Sequence, residues 1–126
     1  MKVLFFIAMG GAIGSTSRYL CVRGIAQLEG DGFAWGTMIV NVLGGLLIGA
    51  LVSVFALRFI VGDNLKAFLF VGFLGGFTTF SAFTLELADF LQQGQLGLAF
   101  LYAAGSVIVS LAACLVGLLF VRGILM

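Results

Sequence analysis

Gly75-Gly76-Phe77-Thr78-Thr79-Phe80-Ser81-Ala82-Phe83-Thr84 stands inside an apolar run long enough to cross a membrane. Each of the two glycines weakens a helix by roughly 1 kcal/mol against alanine. The two threonines that follow carry hydroxyls suited to capping a restarted helix. A helix broken at membrane depth leaves amides and carbonyls that hydrocarbon cannot satisfy. Such a break survives only where it is buried in protein or lines a watery path. Beyond it, phenylalanines at 77, 80 and 83 recur every third residue, which on a continuous helix places them on one face. A glycine-rich packing seam with phenylalanines toward lipid is the alternative use of the same residues.

The remainder of the chain supports a membrane setting. Of its 126 residues 63% are hydrophobic and 9% charged, where a soluble domain carries about 25% charged residues. The net charge of +1 and scattered Lys and Arg give no footprint for nucleic acid. Histidine is absent and there are two cysteines, Cys21 and Cys114, both within apolar runs. That removes Cys/His metal centres and His-based triads and makes the cysteines small packing residues rather than a disulfide.

Hydropathy and length predict four spans, about residues 3–22, 33–57, 67–85 and 96–121, forming one domain over residues 1–126. The basic start at Lys2 and the apolar Val3 to Met9 resemble a secretory leader. The apolar stretch continues to Val22, however, and three more spans follow, so a retained first helix is expected. Arg18 falls near the end of that first span, where its stem can snorkel or its charge can guard an anion vestibule. Glu29-Gly30-Asp31-Gly32, Arg58 to Lys66 and Gln92-Gln93-Gly94-Gln95 read as the connecting segments.

Two helical faces carry polar groups. In the second span Thr37 and Asn41 share a face with Gly45 and Gly49, small residues whose spacing lets backbones approach. Asn41 needs partners at that depth; it is either interhelical glue or a group lining a path. In the fourth span Tyr102, Ser106 and Ser110 follow at intervals of four, a stripe about 12 Å long. No paired carboxylates, nucleophile–base couple or phosphate loop is present, so an enzyme is not expected. Asn41, Thr37, Thr84, Tyr102, Ser106, Ser110 and the phenylalanine edges, which carry partial positive charge, suit a small anion. They replace part of its hydration without binding it too tightly to leave. A cation path would call for acids, and Glu86 alone is at hand, near one end.

Lys2, Arg58, Lys66 and Arg122 fall on one side of a four-span arrangement, and Arg18 and Arg23 near the other. This is a weak orientation bias, compatible with insertion both ways.

Gly10-Gly11-Ala12-x-Gly14-x-x-x-Arg18-Tyr19, Gly36-Thr37-x-x-Val40-Asn41-x-x-Gly44 and Gly75-Gly76-Phe77-Thr78-Thr79-Phe80-Ser81-x-Phe83 resemble the three signatures of the small fluoride-channel family, the Fluc or CrcB type of microbial fluoride exporter. The resemblance covers all four spans in the same order. It implies an all-α membrane protein with the third helix broken at its centre, assembled as an antiparallel, dual-topology homodimer. Its partners would be fluoride, the lipid bilayer and a second copy in opposite orientation, and its place the bacterial inner membrane. Two pores at the subunit interface would passively release fluoride that entered as neutral HF. By the same resemblance Phe80 and Phe83 meet fluoride with their ring edges and Asn41 donates along the path. Tyr102, Ser106, Ser110 and Glu86 form a polar track beside Thr37, with Ser81 and Thr84 on the anion path as well. Gly75 and Thr78 would offer backbone carbonyls from both subunits to a central structural sodium ion, and Arg18 would stand at the aqueous vestibule. Family members usually carry Ser or Thr where this chain has Ala82, so a lowered conduction rate is expected. A proton-coupled multidrug exporter of four helices is the competing reading. It requires an acid in the first span, and residues 3–22 have none. A non-transporting subunit of a membrane complex would explain the glycines but not the broken helix.

Overall fold

The computed structural model describes residues 1–30 and 32–126. Helix α1 covers Lys2–Glu29 and α2 Trp35–Leu57. The third span consists of two arms, α3 over residues 63–77 and α4 over Ser81–Gln92, and α5 covers Leu96–Leu125. With no proline in the chain and predominantly apolar residues, helix is the state that satisfies the backbone internally. Among the described residues, four helical stretches, with α3 and α4 counted as one, are long and apolar enough to cross a membrane. This is a multi-pass membrane architecture.

Helix α1 outruns its apolar span. It continues past Val22 to Glu29, where Gly30 turns the chain at φ 72°. Arg18 therefore lies about three turns before the helix ends, not at its margin. Asp31, within the loop expected at 29–32, is outside the described residues. The segment expected as a loop from Arg58 to Lys66 is shorter than that, because Asp63–Lys66 is already helical. Gly94, at φ 71°, makes the tight turn into α5. Cys21 and Cys114 are unbonded and half-buried.

Two glycine seams weld the bundle into pairs. Between α1 and α3, a Cβ on Gly72 would come within 2.7 Å of the Ile7 carbonyl, and one on Gly76 within 2.8 Å of the Gly11 carbonyl. Between α2 and α5, a Cβ on Gly45 would stand 2.7 Å from the Ser110 carbonyl, while Gly49 and Gly117 lie against the Cys114 and Leu46 carbonyls. Ser53, fully buried, adds a hydrogen bond to the Leu118 carbonyl at 2.8 Å. In lipid, where apolar side chains gain nothing by leaving one solvent for another like it, such close backbone packing is what joins helices. The exterior is correspondingly apolar, with Phe100, Leu101, Val107, Ile108, Leu111, Leu119 and Phe120 exposed along α5.

The third span is irregular over most of its first arm. Residues Ala67–Leu74 wind with i→i+5 bonds, and the Gly75 amide reaches back to the Phe70 carbonyl. Such wide turns recur at functional sites. The helix then stops at Phe77, and Thr78 is extended (φ −86°, ψ 156°). The threonines divide the work of ending and restarting it. The Thr78 hydroxyl donates back to the Leu74 carbonyl at 2.8 Å. The Thr79 hydroxyl accepts from the Ala82 amide at 3.2 Å, satisfying one free donor of α4's first turn. Because residues 78–80 are not helical, Phe77 does not share a face with Phe80 and Phe83, contrary to the period-three expectation. It stacks on Phe73 at 5.9 Å instead.

Candidate functional site: a polar track beside the helix break

The second arm brings Glu86 between α2 and α5. Thr37 of α2 donates to Glu86 Oε1 at 2.7 Å, and the Tyr102 hydroxyl of α5 donates to Oε2 at 2.5 Å. Both donors are buried, so one carboxylate is held from two helices. The Tyr102 ring sits among Phe83, Phe90 and Phe33, at centroid separations of 5.2, 5.6 and 5.4 Å.

This cluster lies between two cavities. One, of about 300 Å³, opens at the end of the bundle and is lined by Glu29, Trp35, Gly36, Thr37, Glu86, Asp89 and Phe90 among others. The other, of about 170 Å³, is lined by Asn41, Phe80, Phe83, Ser106, Val107 and Ser110. Thr37 and Glu86 face the first cavity, and Phe83, packed on Tyr102, faces the second. Ser106 and Ser110 have buried hydroxyl oxygens without a hydrogen-bond partner among the described residues. Buried polar atoms left in that state are rare and call for an explanation. Here they line a cavity that an aromatic pair, Phe80 and Phe83 with centroids 5.4 Å apart, closes from the other side. Phe80 is 77% exposed and Phe83 only 8%. One ring is thus fixed in the core of the chain while the other stands at its surface.

Asn41 has a structural engagement as well. Its Oδ1 accepts from the Thr79 amide at 2.8 Å, and its Nδ2 donates to the Thr79 carbonyl at 2.9 Å. The whole amide is matched to one residue of the break.

The sequence-identified residues therefore sort into groups. Asn41, Phe80, Phe83, Ser106 and Ser110 surround one cavity, and Thr37, Glu86 and Tyr102 form one hydrogen-bonded cluster beside it. Ser81 and Thr84 lie on the exposed side of α4, where the Ser81 hydroxyl is 3.2 Å from that of Thr79 and the Thr84 hydroxyl donates to the Phe80 carbonyl at 2.8 Å. Gly75 is exposed and Thr78 half-buried. Arg18 lines neither cavity.

Residues 5–118 match the family described as CrcB-like protein, Camphor Resistance (CrcB). The chain belongs to the CrcB family. Among CrcB relatives it is 48% identical over 120 residues to a fluoride-specific ion channel FluC of Cereibacter sphaeroides, covering 95% of this chain and 94% of that one. It is 45% identical over 126 residues to FluC of Novosphingobium aromaticivorans, covering 98% and 99%. With FluC of Agrobacterium fabrum the identity is 46% over 112 residues, covering 89% and 90%. The names of these relatives describe a transport function and not an enzymatic one.

Two contributors to the site of this CrcB chain escaped sequence reasoning. Thr79 acts through its backbone, which a sequence does not display, although its place beside the glycines was a signal. The cavity at the bundle end draws on Glu29, Trp35, Asp89 and Phe90 from three separate segments, and no spacing links them.

Proposed function

We propose that this chain is the subunit of a fluoride-specific channel that lets fluoride leave the cytoplasm passively across the bacterial inner membrane. The observation that carries this reading is identity of 45–48% along nearly the whole length of relatives named fluoride-specific ion channels. It is supported by a track whose donors are neutral hydroxyls and whose walls include two aromatic rings, Phe80 and Phe83. Fluoride moves past Ser106, Ser110, Phe80 and Phe83, each replacing part of its hydration. Glu86, held by Thr37 and Tyr102, marks the passage toward the outer cavity.

The functional unit is an antiparallel homodimer with two pores. The exposure of Phe80 supports this, since a pore ring needs a second wall that one subunit does not supply. So does the weak charge bias between the two ends. A structural sodium ion sits at the centre of the dimer, held by the Gly75 and Thr78 carbonyls of both copies. The residues fit a hard cation of this kind. In a continuous helix the Thr79 amide would bond to the Gly75 carbonyl, but here it goes to Asn41. That carbonyl, on an exposed glycine, is left free to face a second copy. Sodium would neutralise the converging carbonyl dipoles and hold the copies in register. Arg18 belongs to the vestibule in this reading, and Ser81 and Thr84 to surfaces completed by the partner.

The deciding experiment is anion efflux from liposomes containing the purified protein. Fluoride release without chloride release is expected. Equal release of both anions, or neither, would remove the proposal.

A further inference from the structure

The geometry points to Asn41 as a positioning residue for the carbonyl cation site at the helix break, an inference that rests on the reading of Gly75 and Thr78 as cation ligands. A side chain that served only as a donor on the anion path would have no need of an acceptor bond. Asn41 makes one, taking the Thr79 amide at 2.8 Å while donating to the Thr79 carbonyl at 2.9 Å. That amide is the i+4 donor which a regular helix would give to the Gly75 carbonyl. By capturing it, Asn41 stops the helix from closing its next turn and leaves the Gly75 oxygen available.

A second contact of α2 on the break points the same way. Gly44, three residues after Asn41 and on the same helical face, lies against the Thr78 methyl group, and a Cβ there would overlap Thr78 Cγ2. Thus α2 grips the break at consecutive residues, Thr78 by shape and Thr79 by hydrogen bonds. The Thr78 backbone is extended at ψ 156°, an orientation that turns its carbonyl off the helix axis. Asn41 also lines the cavity with Phe80, Ser106 and Ser110. One side chain therefore links the anion path to the cation site, and losing it should affect both.

The test is the thermal unfolding midpoint of the purified protein in detergent as sodium is titrated against N-methylglucamine at constant ionic strength. The parent should be stabilised by sodium. Asn41→Leu should need roughly tenfold more sodium for half the effect, the loss expected from one hydrogen bond. Asn41→Asp, ionised or protonated, still accepts from the Thr79 amide and should need no more sodium than the parent. Gly44→Ala, which displaces Thr78, should raise the requirement as Asn41→Leu does and carries the test if that variant fails to fold. Gly123→Ala, with open space around it, should leave the requirement unchanged. A parent indifferent to sodium would remove the cation reading itself. A responsive parent with Asn41→Leu or Gly44→Ala unchanged, or with Asn41→Asp as weak as Asn41→Leu, would overturn the positioning role alone.

Discussion

Thr37 and Tyr102, on different helices, donate to different oxygens of the same Glu86 carboxylate, at 2.7 and 2.5 Å. Removing either donor leaves one oxygen of the shared carboxylate without its partner in a place where both donors are buried. Tyr102→Phe and Thr37→Val should each cost about 1.5–3 kcal/mol, the range for a hydrogen bond to a charged group. The double variant should depart from the sum by about 0.5 kcal/mol or more. Unfolding of all four proteins in detergent measures the coupling; strict additivity would mean that the two donors act independently.

The two phenylalanines proposed for the anion path should separate by assay. Phe83→Ile disturbs a buried ring packed on Tyr102 and should cost about 1 kcal/mol of stability as well as fluoride flux. Phe80→Ile, at the surface of the chain, should leave stability near the parent's while lowering flux at least roughly tenfold, about 1.4 kcal/mol of barrier. Flux at parental level in both variants would return these rings to packing.

Ala82 lies one turn before Glu86, with its amide bonded to the Thr79 hydroxyl. A threonine there would fill a gap in polar groups one turn ahead of Glu86 on α4. Ala82→Thr should raise fluoride flux by about tenfold, given the worth of one hydrogen bond to a charged species. Liposome flux of the two proteins under one gradient decides it, and equal rates would make the gap a matter of packing only.

Glycine substitutions should split according to what a Cβ would meet. Gly49→Ala drives a methyl group into the Cys114 carbonyl of α5, with no flexible atom to yield, and should abolish monodisperse protein. Gly123→Ala has open space within 4 Å and should be stabilising by up to about 1 kcal/mol through helix propensity. Size-exclusion profiles and unfolding midpoints compare them directly.

Orientation can be forced. Several lysines added beside Lys2 should fix one topology and abolish fluoride flux, and co-expression with an oppositely biased version should restore it. Normal flux from either biased version alone would exclude antiparallel pairing.

Much of this arrangement was legible in the residues, and the failures have physical reasons. The break announced itself because Gly75, Gly76, Thr78 and Thr79 stand together where hydrocarbon punishes loose backbone. Asn41 was identifiable as a buried amide in need of partners. Its partner was not, since the Thr79 amide and carbonyl belong to a backbone 38 residues away and every residue has such groups. Phe77 was placed with Phe80 and Phe83 because a period of three presumes an unbroken helix across the very residues that break it. Helix α1 outran its span at Val22 because hydropathy reports where lipid ends. Hydrogen bonding, which continues through Arg23 and Gln27, decides where a helix ends.

The break also determines how the molecule flexes. Close backbone-to-backbone seams join α1 with α3, and α2 with α5, into two units. The second arm α4 leans on α2 and α5 through Glu86 and Phe83, while α3 is fastened to α1. The third span thus leaves one unit and enters the other, and residues 78–80 are the crossing. A rigid rod there would carry a push from one unit to the other as sliding along its axis. At Thr78 the helical register is interrupted, so a push along one unit is not passed on as sliding of a single rod, and Phe80 stands at that interruption on the side that α2 holds through Thr78 and Thr79.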